Sequence, residues 1–272
     1  MALRMNLLLP GITLLKGNAL DIMPTLAGGS YAAIIADLPY WTLNKWRGIG
    51  TTTRLGGHRD AEKRTGWFDT MDAEELYFCL CEFYRLLPKN GHAWVMCDGE
   101  TLGYILNYVR EGETGFNYCK PYPVLKKAET GGYRQGLGYH LRGSHEFVVL
   151  CEKGRRRFPK ELESRPDVFE AVWRGDSQTR DITPDGKPYP TAKPFALFAQ
   201  WIELSTEPGE RIFDPSAGSG AAGVAALGLG RTATLLDRSD YAIETMQHRF
   251  SAASTLDFAD AGETIKSATP EN

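Results

Sequence analysis

Apolar runs and helix-period stripes alternate along this chain. Residues 12–16 are a short apolar run, and residues 18–26 carry Leu20, Met23 and Leu26 at helical spacing. Residues 31–36 are apolar throughout, which suits a strand buried on both faces, and the run stops at Asp37-Leu38-Pro39-Tyr40. Residues 72–87 start on an acid, repeat Leu76, Leu80, Phe83, Leu86 and Leu87, and end at Pro88-Lys89-Asn90-Gly91, which predicts a helix. Residues 92–97 predict a second central strand that stops at Asp98, with a helix over 102–110 after it. Further strands are expected over 117–125, 146–151, 211–213 and 232–236, the last two meeting Asp214 and Asp237. Helices are expected over 195–204, 221–227 and 241–250. Residues 41–70, rich in Gly, Thr and Arg, and residues 152–190, polar and proline-containing, show no period and predict little regular structure.

Strands alternating with helices predict an α/β fold with a doubly wound, mostly parallel sheet covered on both faces. Ligands of such sheets bind outside the carboxyl ends of the strands. Asp37, Asp98, Asp214 and Asp237 all fall at predicted strand ends, so that edge is the expected active site. The 272 residues suit a single domain over 1–272. Net charge is only -3, so nucleic-acid binding would need local basic patches. The five cysteines are scattered without paired CxxC units, which argues against zinc or any other metal and for reduced thiols in a cytoplasmic protein. Residues 7–12 are apolar, but Pro10 and Gly11 interrupt them and no small-residue cleavage site follows. They read as the lead-in to a buried strand, and no apolar run is long enough to span a membrane.

Gly218 to Gly223 spell a literal GxGxxG, and Asp237 follows nineteen residues after Gly218. A dinucleotide fold is excluded by length. Only 58 residues follow Asp214, too few for the strands that such a fold builds after its fingerprint. The rest of the sheet must come from the N-terminal part of the chain. Gly218 and Gly220 would let the backbone approach an adenosine closely. Asp237 could accept from both ribose hydroxyls, and Asp214 adds negative charge where a cationic cofactor would sit.

Asp37-Leu38-Pro39-Tyr40 could be a simple strand-ending turn. It also has a specific chemistry. An exocyclic amine of adenine or cytosine is a poor nucleophile, because its lone pair is delocalised into the ring. The Asp37 carboxylate and the Leu38 carbonyl can accept its two hydrogens, free the lone pair and offset the charge that develops. Pro39 stiffens the turn, and Tyr40 offers a flat face for a base that has left the duplex.

These residues resemble the amino-methyltransferases of DNA, whose catalytic motif is written (Asp/Asn/Ser)-Pro-Pro-Tyr. Pro190-Thr191-Ala192-Lys193-Pro194, Pro208-Gly209-Glu210 and Asp214-Pro215-Ser216-Ala217-Gly218-Ser219-Gly220 resemble that family's joined cofactor block. Catalytic motif first and cofactor motif last is the order of its β subgroup. Leu86 to Gly91 and Gly143 to Val148 add weaker matches, and the likeness runs over about residues 12–250. It implies S-adenosylmethionine as cofactor and the methyltransferase fold in circularly permuted motif order, with small DNA-contacting insertions. It implies that Asp37 and residues Asp214, Ser216, Ala217, Gly218, Ser219 and Gly220 line the cofactor, that Asp237 holds the ribose, and that Thr191 and Lys193 lie near the methionine end. Asn18, followed by Ala19, falls where the family has an aspartate contacting the cofactor adenine. Leu38 replaces a proline whose backbone carbonyl alone is needed, and Ser216 replaces a phenylalanine that packs on the cofactor. Aspartate at position 37 favours adenine N6 as the target. N4 of cytosine and an RNA acceptor are the alternatives. A protein-glutamine acceptor goes with asparagine at that position, and a non-catalytic regulator would not need Asp37 and Tyr40.

Ten basic residues lie between Lys120 and Lys160, Arg134, Arg155, Arg156 and Arg157 among them, against Glu129, Glu146 and Glu152. The segment after Tyr40 adds Lys45 and Arg47 interleaved with Trp41 and Trp46. Basic residues beside aromatics suit phosphate contact and base stacking, so DNA is the expected partner. The segment 41–70 is expected to be mobile and to close over the flipped base, and 152–190 to read sequence. The family includes dimers, which leaves a homodimer open.

Overall fold

The computed structural model describes residues 5–41, 70–134, 141–155, 158–159, 165–173, 182–187, 189 and 192–252. Among the described residues nine strands form one sheet: β1 (Met5–Leu9), β2 (Ile12–Lys16), β3 (Ala33–Asp37), β4 (Gly91–Cys97), β5 (Tyr118–Lys127), β6 (His145–Lys153), β7 (Phe169–Val172), β8 (Arg211–Asp214) and β9 (Thr232–Asp237). Their order is β1-β2-β9-β8-β3-β4-β6-β5-β7. β2, β9, β8, β3 and β4 run parallel, β6 lies antiparallel between β4 and β5, and β7 is parallel to β5. Only β1 and β6 therefore run against the rest. The last two strands of the chain sit in the middle of the sheet beside β3, as the length argument required.

The helices are α1 (Ala19–Ile22), α2 (Ala73–Leu86), α3 (Gly99–Arg110), α4 (Phe195–Ser205), α5 (Ala221–Gly228) and α6 (Asp240–Ala252). Alternation along the strands divides the core in two. Ile35, Trp94, Met96, Ile212 and Leu235 pack on one face with Trp201 of α4, Ala222 of α5 and Met246 of α6. Ile34, Ala36, Val95, Phe213 and Leu236 pack on the other with Leu80 and Phe83 of α2 and Ile105 of α3. Asp72 starts α2 with a reciprocal cap: its carboxylate accepts from Glu75 N–H at 2.9 Å, and the Glu75 carboxylate accepts from Asp72 N–H at 2.9 Å. Inside the first core, Trp94 Nε1 donates to Ser205 Oγ at 2.7 Å, and His92 Nδ1 lies 2.9 Å from the same oxygen.

Three sequence expectations change. The expected helix over 18–26 is a single α turn followed by a 3-10 turn at Met23–Thr25, because Pro24 has no N–H to continue the ladder. Arg85 holds that turn by donating to the carbonyls of Met23 at 2.6 Å and Leu26 at 2.8 Å. Residues 7–12 are more than a lead-in, since β1 is itself a strand on the sheet edge. The expected irregular stretch 152–190 contains β7, which gains its hydrogen bonds from β5. The rest of 41–70 beyond Trp41 and Thr70 lies outside the described residues, but its ends meet: Met71 N–H donates to Pro39 O at 2.6 Å, and Met71 bridges Tyr40. No helix among the described residues is long and apolar enough to cross a membrane.

Candidate active site

The carboxyl ends of β3, β8 and β9 bring Asp37, Asp214 and Asp237 to one edge. The N-terminus of β6 reaches the same edge, because β6 runs antiparallel. Register places Asp37 beside Met96 and Met96 beside Val148, so Glu146 lies just beyond that row. Lys193 enters from the segment before α4. Its Nζ lies 2.8 Å from Asp37 Oδ2 and 3.5 Å from Glu146 Oε2, and Lys126 of β5 pairs with Glu146 Oε1. The result is one chain of alternating charge: Asp37, Lys193, Glu146, Lys126. Burial raises the Glu146 pKa, but the ammonium groups of Lys193 and Lys126 outweigh it and hold the carboxyl at about 2. Burial pulls Lys193 down, and Asp37 and Glu146 more than restore it, leaving it above the ordinary lysine range.

The segment Asp37-Leu38-Pro39-Tyr40 is pinned from two sides. Ser216 Oγ donates to the Asp37 carbonyl at 3.0 Å, so this serine ties the Gly-rich loop to β3. Tyr40 N–H donates to Leu38 O at 3.0 Å, which leaves that oxygen one lone pair. The Leu38 side chain is buried in the second core, so this residue supplies packing as well as a carbonyl. Burial, then the carboxylates of Glu146, Asp37 and Asp98, push the Tyr40 phenol well above its ordinary value and keep it neutral. A narrow apolar crevice lined by Leu38, Tyr40, Trp41 and Met71 opens beside the segment. Asp98, the fourth expected acid, caps α3 by accepting from Thr101 N–H at 2.8 Å.

The Gly-rich loop is built on Asp237, whose Oδ2 accepts from Gly218 N–H and Oδ1 from Ser239 N–H, both at 2.9 Å. The Arg238 N–H is a third backbone donor to this carboxylate, which leaves it about one acceptor site for a hydroxyl. Gly218 (φ +51°) and Gly220 (φ +76°) both adopt left-handed backbone. A Cβ on Gly220 would also come within 3.0 Å of Met246 and Phe250. Arg249 Nη1 donates to Ser219 O at 2.8 Å, and Ala217 is buried beneath the loop. Tyr189, beside Gly218, stacks on Tyr241 with ring centroids 5.6 Å apart. Asp214 is 4% exposed. Burial, with Asp37 and Asp237 nearby, pushes its pKa well up, and it has no ion-pair partner among the described residues. A buried carboxyl among carboxylates, under a bare glycine loop, suits a cationic, nucleoside-like ligand.

A family model described as DNA methylase matches residues 31–248. The chain belongs to that family. M.HinfI, a Type II methyltransferase of Haemophilus influenzae, is 24% identical over 259 residues, covering 87% of this chain and 67% of its own length. The structure of an M1.HpyAVI–SAM complex matches with a TM-score of 0.58 at 19% identity, covering 88% of this chain and 99% of the other. PvuII DNA methyltransferase, cytosine-N4-specific, matches at 0.64 and 14% identity, covering 94% and 92%. The two likenesses show the fold, that of S-adenosylmethionine-dependent DNA methyltransferases. This DNA methylase is accordingly an amino-methyltransferase of DNA.

The structure gathers Asp37, Leu38, Pro39, Tyr40, Lys193, Asp214, Ser216, Ala217, Gly218, Ser219, Gly220 and Asp237 at one edge. Asn18 caps α1 by accepting from Leu20 N–H at 3.1 Å, with Ala19 next to it, just beyond β2 on the same edge. Trp41 packs edge-on against Tyr104 at 4.9 Å. Arg134 donates to Trp173 O at 3.3 Å, past the carboxyl end of β5. Arg155 stands apart. It follows the C-terminus of antiparallel β6, its N–H donates to Asn90 at the foot of β4, and it lies at the opposite edge of the sheet. Lys45, Arg47, Arg156, Arg157 and Thr191 lie outside the described residues. Sequence reasoning missed Glu146 and Lys126 as partners of the site. Their signal was a lone acid opening the apolar run Phe147 to Cys151.

Proposed function

We propose that this DNA methylase transfers a methyl group to the exocyclic N6 of adenine in a base swung out of the duplex. The observation that carries the reading is the Asp37 carboxylate, held at Oδ2 by Lys193 with no partner at Oδ1 among the described residues, on the same edge as the Gly-rich loop. Oδ1 of Asp37 and the remaining lone pair of Leu38 O accept the two amino hydrogens, which draws the nitrogen out of conjugation. Pro39 and the Met71 contact keep the two acceptors in place. Tyr40 supplies the stacking face, worth about 1–3 kcal/mol, against the few kcal/mol spent on extrusion. Aspartate rather than serine at position 37 favours adenine.

S-adenosylmethionine is the cofactor and supplies an electrophilic methyl group. The residues present fit it. Asp214 offers negative charge to its cationic sulfonium and ammonium, Asp237 faces the place of a ribose, and Gly218 and Gly220 leave room for close approach. Lys126, Lys127, Tyr133, Arg134 and Trp173 form a basic, aromatic shelf beside the site, with Lys127 Nζ 4.7 Å from the Tyr133 ring and Lys126 Nζ 5.8 Å from Trp173. Tyr133 is 54% exposed, and this shelf contacts the DNA.

Asp37→Ala should abolish transfer of label from S-adenosylmethionine to DNA while cofactor affinity, read by calorimetry, stays within about threefold. Retained transfer would sink the proposal.

A further inference from the structure

We infer that Lys193 and Glu146 are positioning residues for methyl transfer: Lys193 holds one oxygen of Asp37 so that the other faces the substrate amine, and Glu146 keeps Lys193 charged and aimed. This inference rests on the reading of Asp37 as the amine acceptor.

The four groups come from separate parts of the chain: β3, the segment before α4, β6 and β5. Lys193, Glu146 and Lys126 have side chains only 14%, 18% and 19% exposed. Charges held this far from water are stable only when paired. A free carboxylate can turn about its last bond and present either oxygen. Lys193, 2.8 Å from Oδ2, removes that freedom and leaves Oδ1 as the oxygen without a partner among the described residues. Glu146 holds the ammonium from its other side, and Lys126 pairs with the far oxygen of Glu146, so the four charges balance and Lys193 is fixed between two carboxylates. The chain therefore sets the direction of the acceptor.

Lys193 is faced by Asp37 and Glu146 directly, with Lys126 behind Glu146. Tyr40, Cys97 and Asp98 sit beside that pair, and Asp214 lies beyond Asp37. Losing Glu146 removes one of the two carboxylates that stabilise the ammonium, so Lys193 gives up its proton at lower pH.

Three readouts test this on the intact protein with wild type beside it. In Glu146→Gln, kcat should fall about tenfold or more while cofactor affinity holds. In the cofactor-free protein, mass spectrometry should find Lys193 of this variant reductively methylated several-fold faster than in wild type. Should Glu146→Gln not fold, Lys193→Met and Lys193→Arg decide. Both should keep cofactor affinity, and Arg should restore part of the kcat that Met loses. Unchanged Lys193 labelling in Glu146→Gln overturns the inference even if kcat drops, and so does loss of cofactor binding in Lys193→Met. A wild type that fails to methylate DNA refutes the proposed function itself and the inference with it. An active wild type with an unmoved variant refutes the inference alone.

Discussion

Asp214 shows how a single side chain can be held against its own stability. It is buried, flanked by Asp37 and Asp237, and its pKa is raised well above the usual carboxylate range. The folded state therefore holds this proton more tightly than the unfolded chain does. Between the ordinary carboxylate range and the raised value, this group's contribution to stability falls as pH rises. Asp214→Asn keeps an oxygen for the Ser216 N–H and removes the charge. We expect the cofactor-free variant to melt higher than wild type at neutral pH, and to bind S-adenosylmethionine about tenfold more weakly or worse. Thermal unfolding and calorimetry check both. A lower melting temperature with full affinity would mean that Asp214 is structural. At this scale the sequence was informative about the acids, since an acid that ends an apolar run is visible. It could not show that Lys193 pairs with Asp37 and Glu146, because those partners meet only after β6 is placed beside β4.

The elements followed the apolar pattern where the pattern was long. β3, β4, β8 and β9 were legible as unbroken runs, and α2 as a stripe with a cap at one end and Pro88 at the other. β7 was not, because four residues with alternating burial are too short to stand out from a polar stretch. It is a strand because β5 offers an open edge. The helix expected over 18–26 failed for the opposite reason: its spacing was right, and Pro24 broke the ladder. Between elements, one oxygen carries an outsized role. Ser205 Oγ at the end of α4 accepts the Trp94 N–H of β4 inside the first core. Ser205→Ala leaves that donor without its acceptor, with an expected loss of about 1–3 kcal/mol in urea unfolding. A loss near zero would show that the N–H finds another partner.

The whole molecule presents two edges with different work. The carboxyl edge carries the four-residue segment, the Gly-rich loop and the Lys126–Arg134 shelf. The other edge carries Arg155, beside a cleft of about 400 Å³ lined by Tyr118, Tyr122, Glu152 and Phe158. In the sequence, Arg134 and Arg155 belonged to one basic stretch. Strand direction separates them, and direction within a sheet leaves no mark on local composition. DNA bound at the carboxyl edge should feel Lys127 and Arg134 and ignore Arg155. Changing Lys127 and Arg134 together to Ala should lower the slope of log affinity against log salt by about one for each phosphate no longer neutralised. Arg155→Ala should leave that slope as it was. The reverse result would put the DNA on the other edge.

Whether Asp37-Leu38-Pro39-Tyr40 serves the methylation of an adenine amine is decided by the identity of the nucleoside that receives the label. The wild-type protein is incubated with labelled S-adenosylmethionine and DNA, the DNA is digested to nucleosides, and the labelled nucleoside is identified. Label is expected in N6-methyldeoxyadenosine. Label in N4-methyldeoxycytidine, or none in DNA while RNA or protein is labelled, would contradict it.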